Sequence, residues 1–358
     1  MDINTVTIPE LCRIGFEERA SDVCIKVNAP PTMRQFSVFK PLPGEWGIID
    51  ETNAKRLIYS IMSEKQIREF EENLEMDLAL EIPGVCRMRV NVYWQRGTPA
   101  TVMRIIPLKI LTIDELGLPP VLKEFTKHRL GLVLVTGPTG SGKTTTLAAM
   151  IDLINEQRPC HIVTVEDPLE FVHQDKKAYV SQREVHIDTK EFQPALRAVV
   201  REAPDVILIG EMRDVTTMNT ALQAGETGHL VFSTVHTASA YETMDRVINM
   251  FPPHEKNFLC QRMAGSLRGI IAQKLVPRAD GQGRVVAQEI LVCTPTVSKA
   301  IEDGAFSDLY HHMNEGSFWG MQTMNQSLVR YVKAGIITEE VAMHYAGVPS
   351  ELKQMLRR

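Results

Sequence analysis

The stretch Gly137-Pro138-Thr139-Gly140-Ser141-Gly142-Lys143-Thr144 constrains this chain more than any other. It fits G-x-x-x-x-G-K-[ST] in full, follows the apolar run Leu132 to Thr136, and opens a helical segment near Lys143. A buried strand that turns through glycines into a helix predicts an α/β fold with a mostly parallel sheet. The glycines let the backbone close around a phosphate without Cβ clashes. Successive N–H groups then point inward at a helix N-terminus and form an anion nest. In such a nest Lys143 reaches the β- and γ-phosphates of ATP, and the Thr144 hydroxyl ligates Mg²⁺. Gly137, Pro138, Thr139, Gly140, Ser141, Gly142, Lys143, Thr144 and Thr145 are the expected nucleotide-binding set. Thr145, like Thr146, also reads as an ordinary residue of a first helical turn.

Hydrolysis needs a group that activates or positions water near the γ-phosphate. A parallel sheet presents such groups at the C-terminal ends of its strands. Glu166 ends the run Val163-Thr-Val165, and Glu211 follows Val206-Ile-Leu-Ile-Gly210. The second run has the form of a Walker B strand, except that Gly210 stands where many P-loop enzymes carry a metal-binding Asp. Glu211 is therefore the expected base, and metal and water duty shifts toward Glu166, giving Thr144 and Glu166 as the metal set. Which of the two glutamates is the base stays open. Asp167 and Asp214 read equally as site acids or helix caps. His229 and His236 flank Leu230 to Val235, seven apart and so on opposite faces of a strand; one of them can sense the γ-phosphate. Arg87 and Arg89 share a strand face. With Arg104 they are candidates for a cation supplied by a neighbouring subunit, the alternative being solvated or carboxylate-paired arginines.

At ~150 residues per domain, 358 residues suggest about two domains. With 44% apolar and 23% charged residues the chain is an ordinary globular one. A net charge of -5 argues against a main role on bare nucleic acid. The six cysteines show no C-x-x-C spacing and read as buried thiols of a reducing compartment, with no structural zinc. No signal-peptide pattern opens the chain, and no run approaches ~20 apolar residues, so a cytoplasmic location is expected. Residues 1–106 read as a small α/β domain. Val23, Ile25 and Val27 alternate there, two helices split at the Ser63–Gln66 capping box, and strands are expected over 76–80, 86–93 and 101–106. Residues 107–120, with Pro107, Gly117 and Pro119-Pro120, read as a linker. Residues 121–297 form the expected ATPase core, with strands over 132–136, 161–165, 206–209 and 230–234. Residues 298–358 read as helical, with no identifiable chemistry.

Four stretches stand in a telling order: the phosphate loop, Thr164-Val-Glu-Asp-Pro-Leu-Glu-Phe171, Leu208-Ile-Gly-Glu-Met-Arg-Asp214 and Thr227-Gly-His-Leu-Val-Phe-Ser-Thr-Val-His-Thr237. They resemble the Walker A, Asp box, Walker B and His box of the secretion ATPase superfamily. Within it the chain resembles the type IV pilus retraction ATPases, the PilT and PilU group, over nearly its whole length. Ser21-Asp22, Pro30-Pro31, Arg87-Met-Arg-Val-Asn91, Ser181-Gln-Arg-Glu-Val185 and Gly320-Met-Gln-Thr-Met324 extend the likeness. The resemblance implies an N-terminal PAS-like domain, a RecA-like core and a homohexameric ring with nucleotide at subunit boundaries. It places Lys143 and Thr144 at phosphate and metal, Glu166 near metal and water, Glu211 as base and His229 near the γ-phosphate. Arg87, Arg89 and Arg104 become candidate cross-boundary arginines. The implied function is pilus retraction, with an inner-membrane pilus platform protein as partner, peripheral membrane association, and no nucleic acid. Extension ATPases usually carry paired C-x-x-C ligands and an additional N-terminal domain; Lys274 to Gly283 has no cysteine pair, and only about a hundred residues precede the linker. Where the PilT group shows A-I-R-N-L-I-R-E, this chain has Ala300-Ile-Glu-Asp-Gly-Ala-Phe306. That departure leans toward a PilU-like accessory motor working with a paralogous retraction ATPase. The alternatives are a nucleotide-gated adaptor of another motor and a nucleic-acid translocase with the same core.

Overall fold

The period-two runs of the first hundred residues pair into an antiparallel sheet in the computed structural model, which describes residues 2–36 and 38–357. The chain divides into two compact units between Lys109 and Ile110. In the first, helix α1 (Ile8–Glu17) precedes strands β1 (Asp22–Ile25), β2 (Thr32–Gln35) and β3 (Val38–Pro41). Helices α2 (Glu51–Tyr59) and α3 (Glu64–Asn73) follow, then β4 (Glu75–Ile82), β5 (Cys86–Gln95) and β6 (Thr98–Pro107). The spatial order is β3-β2-β1-β6-β5-β4. Val23, Met33, Met88, Val90 and Met103 on one sheet face pack with Leu11, Leu57, Ile58 and Phe70 of the helices. The Ser63–Gln66 capping box opens α3 and separates it from α2. The sequence expectation omits α1, although Thr7 and Glu10 form a second capping box at its start.

The second unit alternates helix and strand. Its elements are α4 (Val121–Lys127), β7 (Gly131–Thr136), α5 (Lys143–Gln157), β8 (His161–Glu166), β9 (Tyr179–Glu184), α6 (Phe192–Val199), β10 (Val206–Ile209), α7 (Val215–Glu226), β11 (Leu230–Val235), α8 (Ala240–Asn249) and α9 (Lys256–Ser266). The hairpin β12 (Leu267–Pro277) and β13 (Arg284–Val292) follows, then α10 (Pro295–Glu302), α11 (Leu309–Glu315), α12 (Met324–Lys333), α13 (Glu339–Tyr345) and α14 (Pro349–Leu356). The sheet runs β13-β12-β7-β11-β10-β8-β9, parallel throughout except for the edge strand β13. Leu132, Leu134, Val163, Val165, Ile207 and Ile209 face Leu196, Met218, Leu222, Met244 and Met263 on α6 to α9. Val133, Val135, Ile162, Val206, Leu208 and Phe232 face Leu147, Met150, Ile151 and Ile154 of α5. Helices on both faces explain why these strands read as unbroken apolar runs.

One expected boundary moves. Of the segment 107–120, residues from Ile110 onward belong to the second unit, with Ile113 and Leu118 buried beside Leu122 and Phe125. Its prolines and glycine end regular structure without releasing the chain from the core. Helices α12 to α14 pack onto the β12–β13 hairpin. Leu328, Tyr331 and Leu352 share a small core with Val276 and Ala287 of the β12–β13 hairpin. All six cysteines are free, and no helix of the described residues is long and apolar enough to cross a membrane.

Candidate nucleotide site

The register aligns the C-terminal ends of the central strands. Gly131 to Thr136 pairs one for one with Leu230 to Val235, and Ile209 lies between Val165 and Ser233. One sheet edge therefore gathers the loop after β7, Glu166 at the end of β8, Glu211 just beyond β10 and His236 just beyond β11. Gly137 has φ +145°, and a Cβ there would stand 2.5 Å from the Gln273 carbonyl oxygen and 2.5 Å from Ser141 Oγ, so only glycine fits. Pro138, Thr139 and Gly140 form the exposed mouth. Helix α5 opens from Gly142 without a side-chain cap, leaving its first N–H groups to meet an anion. Lys143 Nζ donates to the carbonyls of Gly137 (2.8 Å) and Pro138 (3.1 Å), folding back onto its own loop. Burial lowers its pKa against the pull of Glu211 and Glu170. Ser141 Oγ is buried and finds no hydrogen-bond partner among the described residues. An orphaned hydroxyl, a lysine held by carbonyls and an uncapped helix fit the oxygens of a polyphosphate. Thr144 and Thr145 are partly exposed on the first turn; Thr146 is buried and donates to Gln273 Oε1 at 3.0 Å.

The two glutamates differ in surroundings. Glu211 Oε2 lies 2.8 Å from Arg213 Nη2, and its Oε1 lies 3.1 Å from His236 Nε2. His236 Nδ1 in turn stands 3.5 Å from Lys143 Nζ. Burial alone would raise the Glu211 carboxyl, but Arg213 and His236 outweigh it and its pKa is lowered. Glu166 is 6% exposed, and burial pushes its pKa up to about 7, with Gln182 Nε2 no nearer than 3.5 Å. An ionised carboxylate can accept a proton from water, and near neutral pH both glutamates reach that form, Glu211 fully and Glu166 in part. Gly210 leaves little room for a side chain. A Cβ there would stand 3.2 Å from the Val165 carbonyl oxygen and 3.3 Å from Glu166 Cα. Asp214 accepts from Thr217 N at 2.8 Å and caps α7.

Within one chain the fold does not bring His229 to the phosphate loop. Its carbonyl accepts from Gly131 N, at the start of β7, and its Nδ1 lies 3.0 Å from the Ala224 carbonyl. In a parallel sheet that is the far end. At ~3.3 Å per residue, β11 carries His229 about 20 Å from the phosphate loop. His236, the other histidine of the same box, is the one the fold brings to Lys143 and Glu211.

A family profile described as "Type II/IV secretion system protein" matches residues 17–317. The chain is 44% identical over 342 residues to PilT of Pseudomonas aeruginosa, a type IV pilus retraction ATPase, covering 96% of this chain and 98% of that one. The chain belongs to the type II/IV secretion system protein family, among its pilus retraction ATPases. It is also 36% identical over 348 residues to the type IV pilus ATPase PilU of the same bacterium, covering 97% and 91%. A crystal structure of the pilus retraction motor PilT with bound ADP is 43% identical, with a TM-score of 0.89 and coverage of 98% and 99%. The fold is therefore the two-domain secretion ATPase fold, and the enzyme hydrolyses ATP.

In this ATPase the expected arginines stand together on the first unit's sheet. Arg89 lies opposite Arg104 in the β5–β6 register, and Arg87 shares their face two residues along. Arg104 Nε is 3.2 Å from Asp22 Oδ1, yet its side chain is 60% exposed. Arg89 is exposed and Arg87 half-buried. One residue of the loop's surroundings escaped sequence reasoning: Gln273 of β12, whose Nε2 donates to the Ser141 carbonyl at 2.8 Å. A lone glutamine inside an apolar run was its signal, since a buried carboxamide needs partners.

Proposed function

We propose that this chain is an ATP-driven motor of type IV pilus retraction. It works as a homohexamer, bound peripherally at the inner membrane through the pilus platform protein. The Lys143, His236 and Glu211 contacts at the phosphate loop carry the reading, in a chain similar to PilT almost end to end. Residues 137–145 hold the triphosphate. Lys143 exchanges the Gly137 and Pro138 carbonyls for the β- and γ-phosphates. Glu211 takes the proton of the attacking water as oxygen bonds to the γ-phosphorus and the bond to ADP breaks. His236 keeps Glu211 aimed. The Thr144 hydroxyl and Glu166 are the residues that would hold Mg²⁺, which would neutralise phosphate charge when bound. Arg87, Arg89 and Arg104 supply positive charge to the nucleotide of a neighbouring subunit.

A second reading, an accessory motor working with a paralogous retraction ATPase, draws on Ala300 to Phe306, at the end of α10 and beyond. The 44% identity to PilT against 36% to PilU favours the main motor. Deleting the gene from a piliated cell decides between them. Hyperpiliated cells that no longer twitch mark the main retraction motor, and mild loss of twitching marks an accessory one. Cells without pili would overturn retraction altogether.

A further inference from the structure

Gln273 and Gln288 face each other in the β12–β13 register, and each is 1% exposed. Two carboxamides buried side by side cost stability unless their donors and acceptors are used. Gln273 uses both of its ends. Its Nε2 donates to the Ser141 carbonyl at 2.8 Å; its Oε1 accepts from Thr146 Oγ1 at 3.0 Å and from Gln288 Nε2 at 3.2 Å. Ser141 precedes Lys143 and Thr144, and Thr146 follows them. One planar group thus ties the end of the loop to the first turn of α5, across the two residues that meet phosphate and metal. The backbone carbonyl of Gln273 also fills the space that a Cβ on Gly137 would need.

The orientation of that group is fixed from behind. A flipped carboxamide would set Gln273 Nε2 against Gln288 Nε2 and its Oε1 against the Ser141 carbonyl. Gln288 is itself held at both backbone atoms: its N–H donates to Ser327 Oγ at 3.2 Å, and its carbonyl accepts from Gln322 Nε2 at 2.7 Å. Ser327 lies on α12 and Gln322 just before it. Gln288 Oε1 is buried without a partner among the described residues, a cost that an apolar pair would avoid.

We propose that Gln273 is a positioning residue for ATP hydrolysis and that Gln288 sets its orientation. The inference rests on the nucleotide-site reading above. The full-length chain is compared with Gln273→Met, Gln288→Met, their double variant and Leu352→Ala, a core change in the α12 to α14 cluster. Kinetics, the Kd of a fluorescent ADP analogue and Tm are measured for each. Gln273→Met is expected to lower kcat about 10- to 100-fold, with a smaller rise in Kd. The double variant should be no worse than Gln273→Met, since the two act as a unit. Leu352→Ala should lower Tm with kcat and Kd within about twofold of wild type. Should Gln273→Met not fold, Thr146→Val removes one hydroxyl from the same clasp and is expected to lower kcat severalfold, with Thr146→Ser restoring it. Kinetics within twofold of wild type in the folded Gln273 or Thr146 variant, or an equal kinetic loss in Leu352→Ala, overturns the inference. Lys143→Ala separates the two readings. If it is inactive while Gln273→Met is normal, only this inference fails; if it turns over like wild type, the nucleotide-site reading fails with it.

Discussion

Glu166 and Glu211 leave neighbouring strands at the same sheet edge, yet their environments pull their pKa values apart. For Glu166 burial raises the pKa to about 7, so its proton stays on below that pH in the folded chain. The raised value stabilises the folded state at low pH, and that contribution is lost as pH rises from the ordinary carboxylate range to about 7. Metal binding needs the ionised form. The Kd of Mg·ADP should therefore tighten as pH rises from about 6 to 8, and Glu166→Gln should flatten that dependence; titrations with and without Mg²⁺ across this range check it. Glu211 is held ionised by Arg213 and His236. Glu211→Gln should cut kcat by about 10²- to 10³-fold with Kd for nucleotide within a few-fold, read by steady-state turnover beside equilibrium binding. Equal turnover in this variant and an active wild type would move the base role from Glu211 to Glu166.

Elements were legible where the signal is local. The Ser63–Gln66 capping box marks α3, and the glycine-rich turn marks the β7–α5 junction; the box at Thr7 and Glu10 went unread. The β12–β13 hairpin was not read as an element, because its strands face other strands and the C-terminal helices, and its composition blends into the apolar background. Asp214 shows why an acid near a site is ambiguous in sequence: the same residue type serves as ligand and as cap. Here it caps α7. Asp214→Ala should lower stability by about 1 kcal/mol in denaturant melts, with Asp214→Asn restoring it and turnover per folded chain retained. The phosphate loop responds differently. Gly137→Ala forces a left-handed backbone on a residue with a Cβ and drives it into the Gln273 carbonyl. A loss of about 1–3 kcal/mol is expected, together with weaker nucleotide binding in the same fluorescence titration.

At the scale of the molecule, two units carry two kinds of chemistry. The first exposes Arg89 and Arg104 on the open face of its sheet; the second holds the nucleotide site. The Arg104–Asp22 ion pair is exposed on the arginine side, so little free energy binds Arg104 there. Arg104→Ala should lower kcat about tenfold or more while leaving nucleotide affinity nearly unchanged, as expected of a cation that acts from a neighbouring subunit on the transition state. Mixing Arg104→Ala chains with Lys143→Ala chains tests this directly. Partial recovery of turnover in the mixture supports action across subunits, and simple dilution of activity refutes it.

The candidate phosphate loop was legible in the sequence because it is built from consecutive residues: glycines, backbone amides and one lysine need only their neighbours to form such a nest. The parallel sheet was legible for a related reason, since strands covered on both faces have to be apolar throughout. The tertiary structure decided what local order cannot encode. Strand direction sent His229 to the far end of the sheet and His236 to Lys143, although both belong to one short run. Close approach of β10 to β8 left a Cβ at Gly210 tight against the Val165 carbonyl, and pairing of β12 with β7 set Gln273 beneath a loop more than a hundred residues earlier. Those contacts depend on which backbones lie side by side, and no periodicity within either segment carries that information.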